Sequence, residues 1–368
     1  MSNPLRHLED ELAELKRAGL LRQPADALDP TALSFCSNDY LGLARVPAPP
    51  APSGSGASRL IAGERAEHRA LERKLATWLG LEDSLAFTSG YAANVGVLSA
   101  LARPGDLIVS DALNHASLID GARLSRARVE VVPHLDLEAV DKALAARDAR
   151  DQGRAFVVAE SYFSMDADGP RLPELRSICN RHGAALIVDE AHALGVLGPG
   201  GRGRCAESGI VPDVLVGTLG KSFGAQGAFA AGRRSLREWL WNRARSFVFS
   251  TGLAPSSAAA ASRSLDLLLE SPDLGKKVLG LASRLREQLV AGGATPIGFG
   301  HIVPIIIGEP ERAMDVAERL REEGFAVQAV RPPTVPTGTS RIRLTVTAAH
   351  SDEQLDAVAE AVVRALRA

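Results

Sequence analysis

The chain has 368 residues with 42 Lys and Arg against 44 Asp and Glu, a net charge of −2, so no global field draws it to nucleic acid or to a membrane surface. Its three cysteines, Cys36, Cys179 and Cys205, are far apart, which argues against a disulfide framework or a zinc site. No apolar stretch approaches ~18 residues and the N-terminus does not have the pattern of a signal peptide, so the sequence predicts a soluble, cytoplasmic enzyme.

The first two thirds of the chain alternate between two hydrophobic periods. A helix is predicted over roughly Leu5–Gly19, and Pro47–Pro52 predicts an extended segment. The predicted strands are Leu85–Phe87, Leu107–Ser110, Val129–Pro133, Phe156–Ala159, Leu186–Asp189, Val214–Thr218 and Ala228–Ala231. The predicted helices are Glu64–Leu79, one from Ala92, Leu137–Ala146, Glu174–Arg181 and Leu236–Arg245. Strands that alternate with helices favour an α/β fold with a mostly parallel, doubly wound sheet.

After Pro255 the pattern changes to long helices and then to three further strands. The predicted elements are helices Ser256–Leu269, Leu274–Leu289, Glu311–Glu323 and Asp352–Arg367, and strands His301–Ile307, Ala326–Arg331 and Arg341–Thr347. They predict a smaller C-terminal α+β domain. The predicted boundaries are 1–40 for an N-terminal helical segment, 41–266 for the large α/β domain and 267–368 for the small one.

Lys221 is the most informative residue. The chain has only six lysines, and the other five are predicted on polar helical faces or in a charged turn: Lys16, Lys74, Lys142, Lys276 and Lys277. Lys221 alone follows an apolar strand, within the loop Thr218–Gly224. Arginine cannot lose its proton, whereas lysine becomes an amine nucleophile when burial or a nearby positive charge lowers its pKa. A lysine here, in an arginine-rich chain, indicates that an amine is needed.

Two other interpretations of this loop compete. A P-loop would need its first glycine at Leu215, and Gly217 comes two positions late, so nucleotide binding is rejected. A lysine that only caps the loop is as good an interpretation when the loop is taken alone. A further glycine motif, Gly198–Gly203, satisfies G-x-G-x-x-G, but it does not directly join a strand to a helix and no acid follows at the required distance, which favours a tight surface loop.

A second segment decides between an amine nucleophile and a simple loop cap as the role of Lys221. The run Ala184–Val188 is apolar, and Asp189 and His192 come at its end. Ligands gather at the carboxyl ends of parallel strands, and a carboxylate buried there needs a partner. An Asp and a Lys at one edge of the sheet suit pyridoxal 5′-phosphate (PLP), whose aldehyde forms a Schiff base with the Lys and whose pyridine nitrogen the Asp keeps protonated.

The chain resembles the α-oxoamine synthases, a family of fold-type-I PLP enzymes. The matching motifs span nearly the whole chain: Ser37–Gly42, Gly54–Arg59, Ser89–Asn94, Asn114–Ser117, Glu160–Asp166, Val188–His192, Thr218–Gly224, Arg331–Pro336 and Ser340–Thr345. The resemblance implies the fold-type-I architecture and a PLP site in which Lys221, Asp189 and His115 are catalytic.

Further cofactor contacts come partly from local pattern and partly from the resemblance. Gly90 and Tyr91 precede the helix predicted from Ala92, where free N–H groups suit a phosphate. Taken alone, the pattern favours an ordinary helix cap at Ser89, and the resemblance is what implies that these amides hold the phosphate. The resemblance adds Thr218 at the phosphate and His115 stacked on the pyridine ring. It also places Ser164 and His192 at the phenolic oxygen of PLP. Ser250 and Thr251 resemble a segment that reaches the phosphate in the partner subunit of a homodimer.

Substrate contacts rest on the C-terminal strand and on the N-terminal segment. Arg341 and Arg343 are two apart on a predicted strand and share a face, so position alone does not choose between them as partners for a carboxylate. The family motif favours Arg341 for the carboxylate of the amino acid. Arg22 and Asn38 align with substrate-contacting residues, but relatives have a longer segment around Leu21–Phe35, which weakens the alignment of Arg22. His134, His182 and His301 are interpreted as structural.

The segment Arg331–Pro336 is most similar to family members that condense L-alanine with a pimeloyl thioester of coenzyme A or acyl carrier protein. The alternatives are glycine C-acetyltransferase and 5-aminolevulinate synthase within the family, an aminotransferase or lyase on the same fold, and a catalytically silent scaffold. Residues Val46–Pro52 replace a longer segment of the relatives, which bears on the acyl entrance.

Overall fold

A computed structural model describes residues 4–21, 32–147 and 153–368. The chain divides into a small unit, comprising 1–37, 165–167 and 279–368, and a large unit, comprising 38–164 and 168–278. The sequence predicted a separate N-terminal segment and a boundary after residue 266. The structure instead groups the N-terminal residues with the C-terminal ones, because Leu33 and Ser34 pair in parallel with Phe325 and Ala326.

The strands and helices follow the predicted alternation. The strands are β1 (Leu33–Ser34), β2 (Asp83–Phe87), β3 (Leu107–Asp111), β4 (Arg128–Val132), β5 (Ala155–Glu160), β6 (Ala185–Asp189), β7 (Val214–Thr218), β8 (Ala228–Gly232), β9 (Ile302–Gly308), β10 (Phe325–Ala326), β11 (Gln328–Val330) and β12 (Ser340–Thr345). The helices are α1 (His7–Arg17), α2 (Ala66–Leu79), α3 (Gly90–Leu101), α4 (Ala116–Ser125), α5 (Leu137–Ala145), α6 (Leu172–His182), α7 (Gly203–Glu207), α8 (Arg234–Arg243), α9 (Arg245–Val248), α10 (Pro255–Glu270), α11 (Leu274–Ala291), α12 (Pro310–Glu322) and α13 (Asp352–Arg367). Among the described helices, none is both long and apolar enough to cross a bilayer.

The large unit is built on a seven-stranded sheet in the order β2-β8-β7-β6-β5-β3-β4. Only β8 runs antiparallel to its neighbours, so the predicted mostly parallel sheet is confirmed. Successive side chains of a strand point to opposite faces. Ile187 therefore packs with α3 on one face, and Leu186 and Val188 pack with α5 and α6 on the other. With both faces buried, the polar side chains lie at the strand ends.

The small unit has its own core and its own sheet. Strand β12 lies between β11 and β9 in an antiparallel sheet. Side chains of α11, α12 and α13 pack on this sheet together with Phe35, which lies just after β1. This unit is the predicted α+β domain, and it includes Arg341 and Arg343.

Candidate active site

The carboxyl ends of β5, β6 and β7 bring the predicted cluster together in the large unit. These strands are parallel neighbours, with Glu160 in register with Asp189, and Asp189 in register with Val216. Lys221 comes three residues after β7 ends. Between Thr218 and Ala228 the chain forms neither helix nor strand. A P-loop lysine is followed directly by a helix, so the structure also excludes that interpretation.

Lys221 begins a chain of polar side chains. Its Nζ lies 2.8 Å from Nε2 of His192, and Nδ1 of His192 lies 2.6 Å from the hydroxyl of Tyr40. The hydroxyl of Tyr40 donates to Oδ1 of Asn38 at 3.2 Å. Since that hydrogen is committed to Asn38, the Tyr40 oxygen accepts from Nδ1–H of His192, which leaves Nε2 as the acceptor for the amine of Lys221. His192 thus orients the amine.

Asp189 is held as a hydrogen-bond acceptor. Its side chain lies on the α3 face of the sheet and is nearly buried, with 7% of the residue exposed. Oδ1 accepts the backbone N–H of Ala191 at 2.8 Å, and Oδ2 accepts from Nδ2 of Asn94 at 2.7 Å. Each oxygen of Asp189 therefore has a hydrogen-bond donor.

His115 caps the N-terminus of α4 with its own ring. Nδ1 accepts the backbone N–H of Ser117 at 3.2 Å and lies 2.7 Å from the Ser117 hydroxyl. His115 is exposed to solvent, although the surrounding protein atoms partly desolvate its ring. This desolvation, together with the charge of Lys221, lowers the pKa of His115 against the opposing effect of Asp189. The ring is therefore a neutral, flat surface at the site.

Glu160 is a carboxyl group that the sequence analysis did not select. It is buried at the end of β5 and accepts the backbone N–H of His115 at 2.7 Å. Desolvation and the negative charge of Asp189 raise the pKa of Glu160 to about 8, against the opposing effects of Lys221 and of the His115 N–H. The mutual influence of these groups shows that Lys221, Asp189, His115 and Glu160 form one electrostatic cluster.

The predicted phosphate end lies at the N-terminus of α3. Ser89 caps this helix by accepting the N–H of Ala92 at 3.1 Å. The first amides of a helix, here those of Gly90 and Tyr91, have no intrahelical acceptor and point outward with the positive end of the helix dipole. A Cβ at Gly90 would lie 3.9 Å from Oγ1 of Thr218, so the two predicted phosphate contacts are neighbours.

The remaining predicted residues are placed as follows. Ser164 is half-buried in the segment after β5. Ser250 is half-buried and Thr251 is exposed, next to Phe249, which is 73% exposed. Arg22 lies outside the described residues.

Arg341 and Arg343 are buried in the small unit, at 2% and 4% exposure. Nη1 of Arg341 donates to Oδ1 of Asp166 at 2.7 Å and to the carbonyl of Met165 at 2.8 Å. Nη1 of Arg343 donates to the hydroxyl of Thr345 at 3.1 Å. Arg341 thus has a carboxylate partner within its own unit.

Comparison with known proteins identifies the family of this chain. The family model described as aminotransferase class I and II matches residues 30–362. The chain belongs to this family. It is 45% identical to the 8-amino-7-oxononanoate synthase of Mycolicibacterium smegmatis over 367 residues, covering 96% of this chain and 94% of the relative. This match confirms the predicted resemblance to the PLP-dependent synthases.

Solved structures confirm the fold type. Serine palmitoyltransferase of Sphingomonas wittichii superposes with a TM-score of 0.92 at 30% identity, covering 100% of this chain and 98% of that one. 8-Amino-7-oxononanoate synthase of Francisella tularensis superposes with a TM-score of 0.76 at 25% identity, covering 92% and 99%. Another serine palmitoyltransferase structure that matches this chain contains PLP.

The residues present fit PLP. The cofactor has an aldehyde, a pyridine nitrogen and a phosphate, and each needs a different protein group. Lys221 provides an amine, and Asp189 provides a buried carboxylate. The outward amides of Gly90 and Tyr91, with Thr218 beside them, provide donors suited to a phosphate.

Sequence reasoning missed four polar residues that contact the selected ones: Tyr40, Asn94, Ser117 and Glu160. All four lie within motifs that were quoted for the resemblance, and that membership was the available signal. Their partners could not be read from the sequence, because 152 residues separate Tyr40 from His192 and 95 separate Asn94 from Asp189.

The glycine run at 198–203 is a tight turn, as the sequence predicted. Its shape follows from Glu190, whose buried carboxylate accepts the N–H groups of Arg204 at 3.0 Å and Cys205 at 2.6 Å. A Cβ on Gly203 would lie 2.5 Å from Oε2 of Glu190, and the φ of Gly203 is +85°. Glycine is needed there for close approach to Glu190.

Proposed function

We propose that this chain uses PLP to catalyse the decarboxylative condensation of L-alanine with a pimeloyl thioester, giving 8-amino-7-oxononanoate, carbon dioxide and a free thiol. The observation that carries the proposal is the amine of Lys221 held 2.8 Å from His192 in one cluster with Asp189 and His115. The substrate pair is supported by the 45% identity to a named 8-amino-7-oxononanoate synthase.

PLP, when bound, supplies an electron sink for the negative charge that develops at the α-carbon of the amino acid. Asp189 would hold a proton on the pyridine nitrogen, and the resulting positive charge on the ring would offset the negative charge at the α-carbon. Asn94 and the N–H of Ala191 donate to its two oxygens and fix the position of the side chain.

Lys221 moves the proton at the α-carbon. Its Nζ takes the α-proton of alanine when the amine is unprotonated and returns a proton later in the cycle. His192 Nε2 accepts a hydrogen bond from Nζ and keeps the amine pointed in one direction. Tyr40 and Asn38 hold His192 in the tautomer that makes this possible.

His115 provides its flat ring to the cofactor in this proposal. Its lowered pKa keeps the ring uncharged, so it stacks on the positive pyridine ring without repulsion. Ser164 and His192 contact the phenolic oxygen in this proposal. Gly90, Tyr91 and Thr218 bind the phosphate.

The phosphate site is completed by Ser250 and Thr251 of the other copy in a cytoplasmic homodimer. Thr251 is exposed, and the large apolar side chains of Phe249 and Ile61 are 73% and 83% exposed, which supports burial against a second copy.

Arg341 binds the carboxylate of alanine in this proposal. A guanidinium that already holds the carboxylate of Asp166 has the fork geometry that a substrate carboxylate needs. Arg343, whose Nη1 donates to the hydroxyl of Thr345, is the second choice. Arg22 and Asn38 remain proposed contacts of the acyl substrate and the site entrance.

A second function, condensation of serine with a long-chain acyl thioester, is favoured by one observation, the TM-score of 0.92 to serine palmitoyltransferase. Overall shape is shared across enzymes with different substrates, and sequence identity is 45% to the 8-amino-7-oxononanoate synthase against 30% to the serine palmitoyltransferase, so the first proposal is preferred.

The experiment is thiol release from a panel of acetyl, succinyl, pimeloyl and palmitoyl thioesters, each with alanine, glycine and serine. The expected optimum is pimeloyl with alanine. An optimum at palmitoyl with serine supports the second function, and an optimum with glycine moves the chain to a sister activity. Lys221→Ala is the inactive control.

A further inference from the structure

The ring nitrogen of His115 that carries the proton is determined by neighbouring residues outside the predicted set of cofactor contacts. Nδ1 of His115 receives the backbone N–H of Ser117, which can only donate. Nδ1 must therefore present its lone pair, and a neutral ring then has its proton on Nε2. The positive end of the α4 dipole also acts against a second proton.

Asn94 fixes the direction of the neighbouring hydrogen bonds. Its Nδ2 has two hydrogens, one donated to Oδ2 of Asp189 at 2.7 Å and the other to Oγ of Ser117 at 2.9 Å. A flipped amide would place its oxygen against the carboxylate, so Asp189 sets the orientation. Because Oγ of Ser117 accepts from Asn94, its own hydrogen is directed to Nδ1 of His115 at 2.7 Å.

We propose that Asn94 and Ser117 are positioning residues that couple the two catalytic side chains. One amide keeps Asp189 supplied with a donor and, through the hydroxyl of Ser117, holds His115 as the neutral Nε2–H tautomer. We call the hydrogen-bonded series Asp189–Asn94–Ser117–His115 the relay. Its first three residues are buried: Asp189 is 7% exposed, Asn94 2% and Ser117 0%. Buried hydrogen bonds in such a series polarise and strengthen one another, so removing one member weakens the bonds that remain.

The chemical consequence lies at Nε2 of the His115 ring. With Nδ1 occupied by two donors, the only ring hydrogen available to substrate or cofactor is on Nε2. A protonated His115 would place a positive ring against a positive pyridine and would lose both hydrogen bonds at Nδ1. The relay therefore favours PLP binding through His115 as well as through Asp189.

The tautomer is tested by nitrogen NMR of the full-length protein labelled in its histidine rings, as purified and after removal of PLP. His115→Gln assigns the signal. The expected result at neutral pH is an Nε2 shift typical of a protonated ring nitrogen and an Nδ1 shift typical of an unprotonated one. An Nδ1-protonated or doubly protonated ring in the PLP-free protein overturns the proposal. This readout does not need the proposed function to be correct.

The relay itself is tested by Ser117→Ala, with Ser125→Ala as the matched control. Both serines are buried in α4, at 0% and 5% exposure, but the hydroxyl of Ser125 donates to the carbonyl of Ala122 and not to a site residue. Ser117→Ala should change the His115 Nδ1 chemical shift, because that nitrogen loses one of its two donors, while the backbone N–H of residue 117 still keeps the ring proton on Nε2. The substitution should raise the dissociation constant of PLP roughly 2- to 12-fold, the loss expected for one hydrogen bond. Ser125→Ala should change neither.

Asn94→Ala gives a second measurement and should raise the PLP dissociation constant more than Ser117→Ala, because it removes a donor from Asp189 as well. Equal behaviour of Ser117→Ala and Ser125→Ala in both measurements overturns the relay. The PLP part of the inference rests on the proposed function. A wild-type protein that binds no PLP would refute that function while leaving the tautomer result to stand or fall alone.

Discussion

His134 bridges two carboxylates in the large unit, and its replacement should have a cost that depends on pH. Nδ1 lies 2.8 Å from Oδ1 of Asp111, and Nε2 lies 3.2 Å from Oδ2 of Asp168. Asp111 also accepts the N–H of Leu135 at 2.8 Å. The His134 ring packs edge-on against Phe163, with 4.6 Å between the two ring centroids. Both ring nitrogens face acceptors, so the imidazolium is the form that the structure holds.

The size of the effect follows from the pKa. Burial alone lowers the pKa of His134, but the hydrogen bonds and charges of Asp111 and Asp168 outweigh it and raise the pKa to about 10. A rise from the ordinary 6.5 corresponds to at most about 5 kcal/mol. His134 and Asp168 are 22% and 31% exposed, and solvent screens the pair, so we expect about 2 kcal/mol.

The sign follows from linkage. A folded-state pKa above the unfolded value means that the stabilisation is complete below about pH 6.5 and declines as pH rises to about 10. The free-energy difference between wild type and His134→Gln should therefore be largest near pH 6 and should shrink steadily between pH 7 and pH 9. The difference between the two proteins cancels the titration of the other groups.

The assay is urea unfolding of both proteins across this pH range, followed by circular dichroism. His182→Gln is the control: its ring also lies 2.8 Å from an aspartate, Asp141, but that carboxylate is 41% exposed. The control should lose less than about 1 kcal/mol. A difference for His134→Gln that stays constant or grows from pH 6 to pH 9 would refute the charged bridge.

Four further predictions concern the site. Borohydride treatment should link PLP to Lys221 alone, and peptide mapping that finds label on another lysine would contradict its role. Asp189→Asn should fold normally but retain PLP less well and exchange the α-proton of alanine much more slowly. Loss of the charge-assisted hydrogen bond should cost roughly 1.5–3 kcal/mol in PLP binding or in the activation free energy of exchange. Exchange near the wild-type rate, followed by NMR in deuterated water, would exclude the pyridine contact. Mixing Lys221→Ala subunits with Thr251→Ala subunits should restore some activity if the sites are composite, and a fully active monomer in sedimentation experiments would contradict this. Shortening the acyl chain from pimeloyl to succinyl removes three methylenes, each of which contributes about 0.8 kcal/mol when buried. The free energy of transition-state binding should therefore weaken by about 2 kcal/mol, which corresponds to a fall in kcat/KM of roughly 30-fold. An equal or higher kcat/KM for succinyl would refute the proposed apolar acyl groove.

Much of the fold was predictable because it depends on local periodicity. The seven predicted strands of the large sheet all form within a residue or two of the expected bounds, since continuous apolar runs can be buried only in the centre of a covered sheet. The short helix α4 was missed. Its sequence is mixed in polarity, and its start depends on the ring of His115 acting as a cap, which no common capping rule anticipates.

The domain division was harder to predict, because the pairing that decides it is long-range. Leu33 pairs with Phe325, and the N–H of Thr345 donates to the carbonyl of Phe35 at 2.8 Å. A two-residue strand has no periodicity of its own. Its assignment to the small unit depends on a partner almost 300 residues away.

For the site, the sequence by itself determined the chemistry: an amine at Lys221, a carboxylate at Asp189 and a ring at His115. Residue type and position after a strand were enough for Lys221 and Asp189, whereas His115 was identified through the family resemblance. Only the tertiary structure decided how these groups are held, because hydrogen-bond direction requires both partners in space. Asn94 and Tyr40 have no distinctive chemistry alone. They become part of the site because folding places them within 2.7 Å of Asp189 and 2.6 Å of His192.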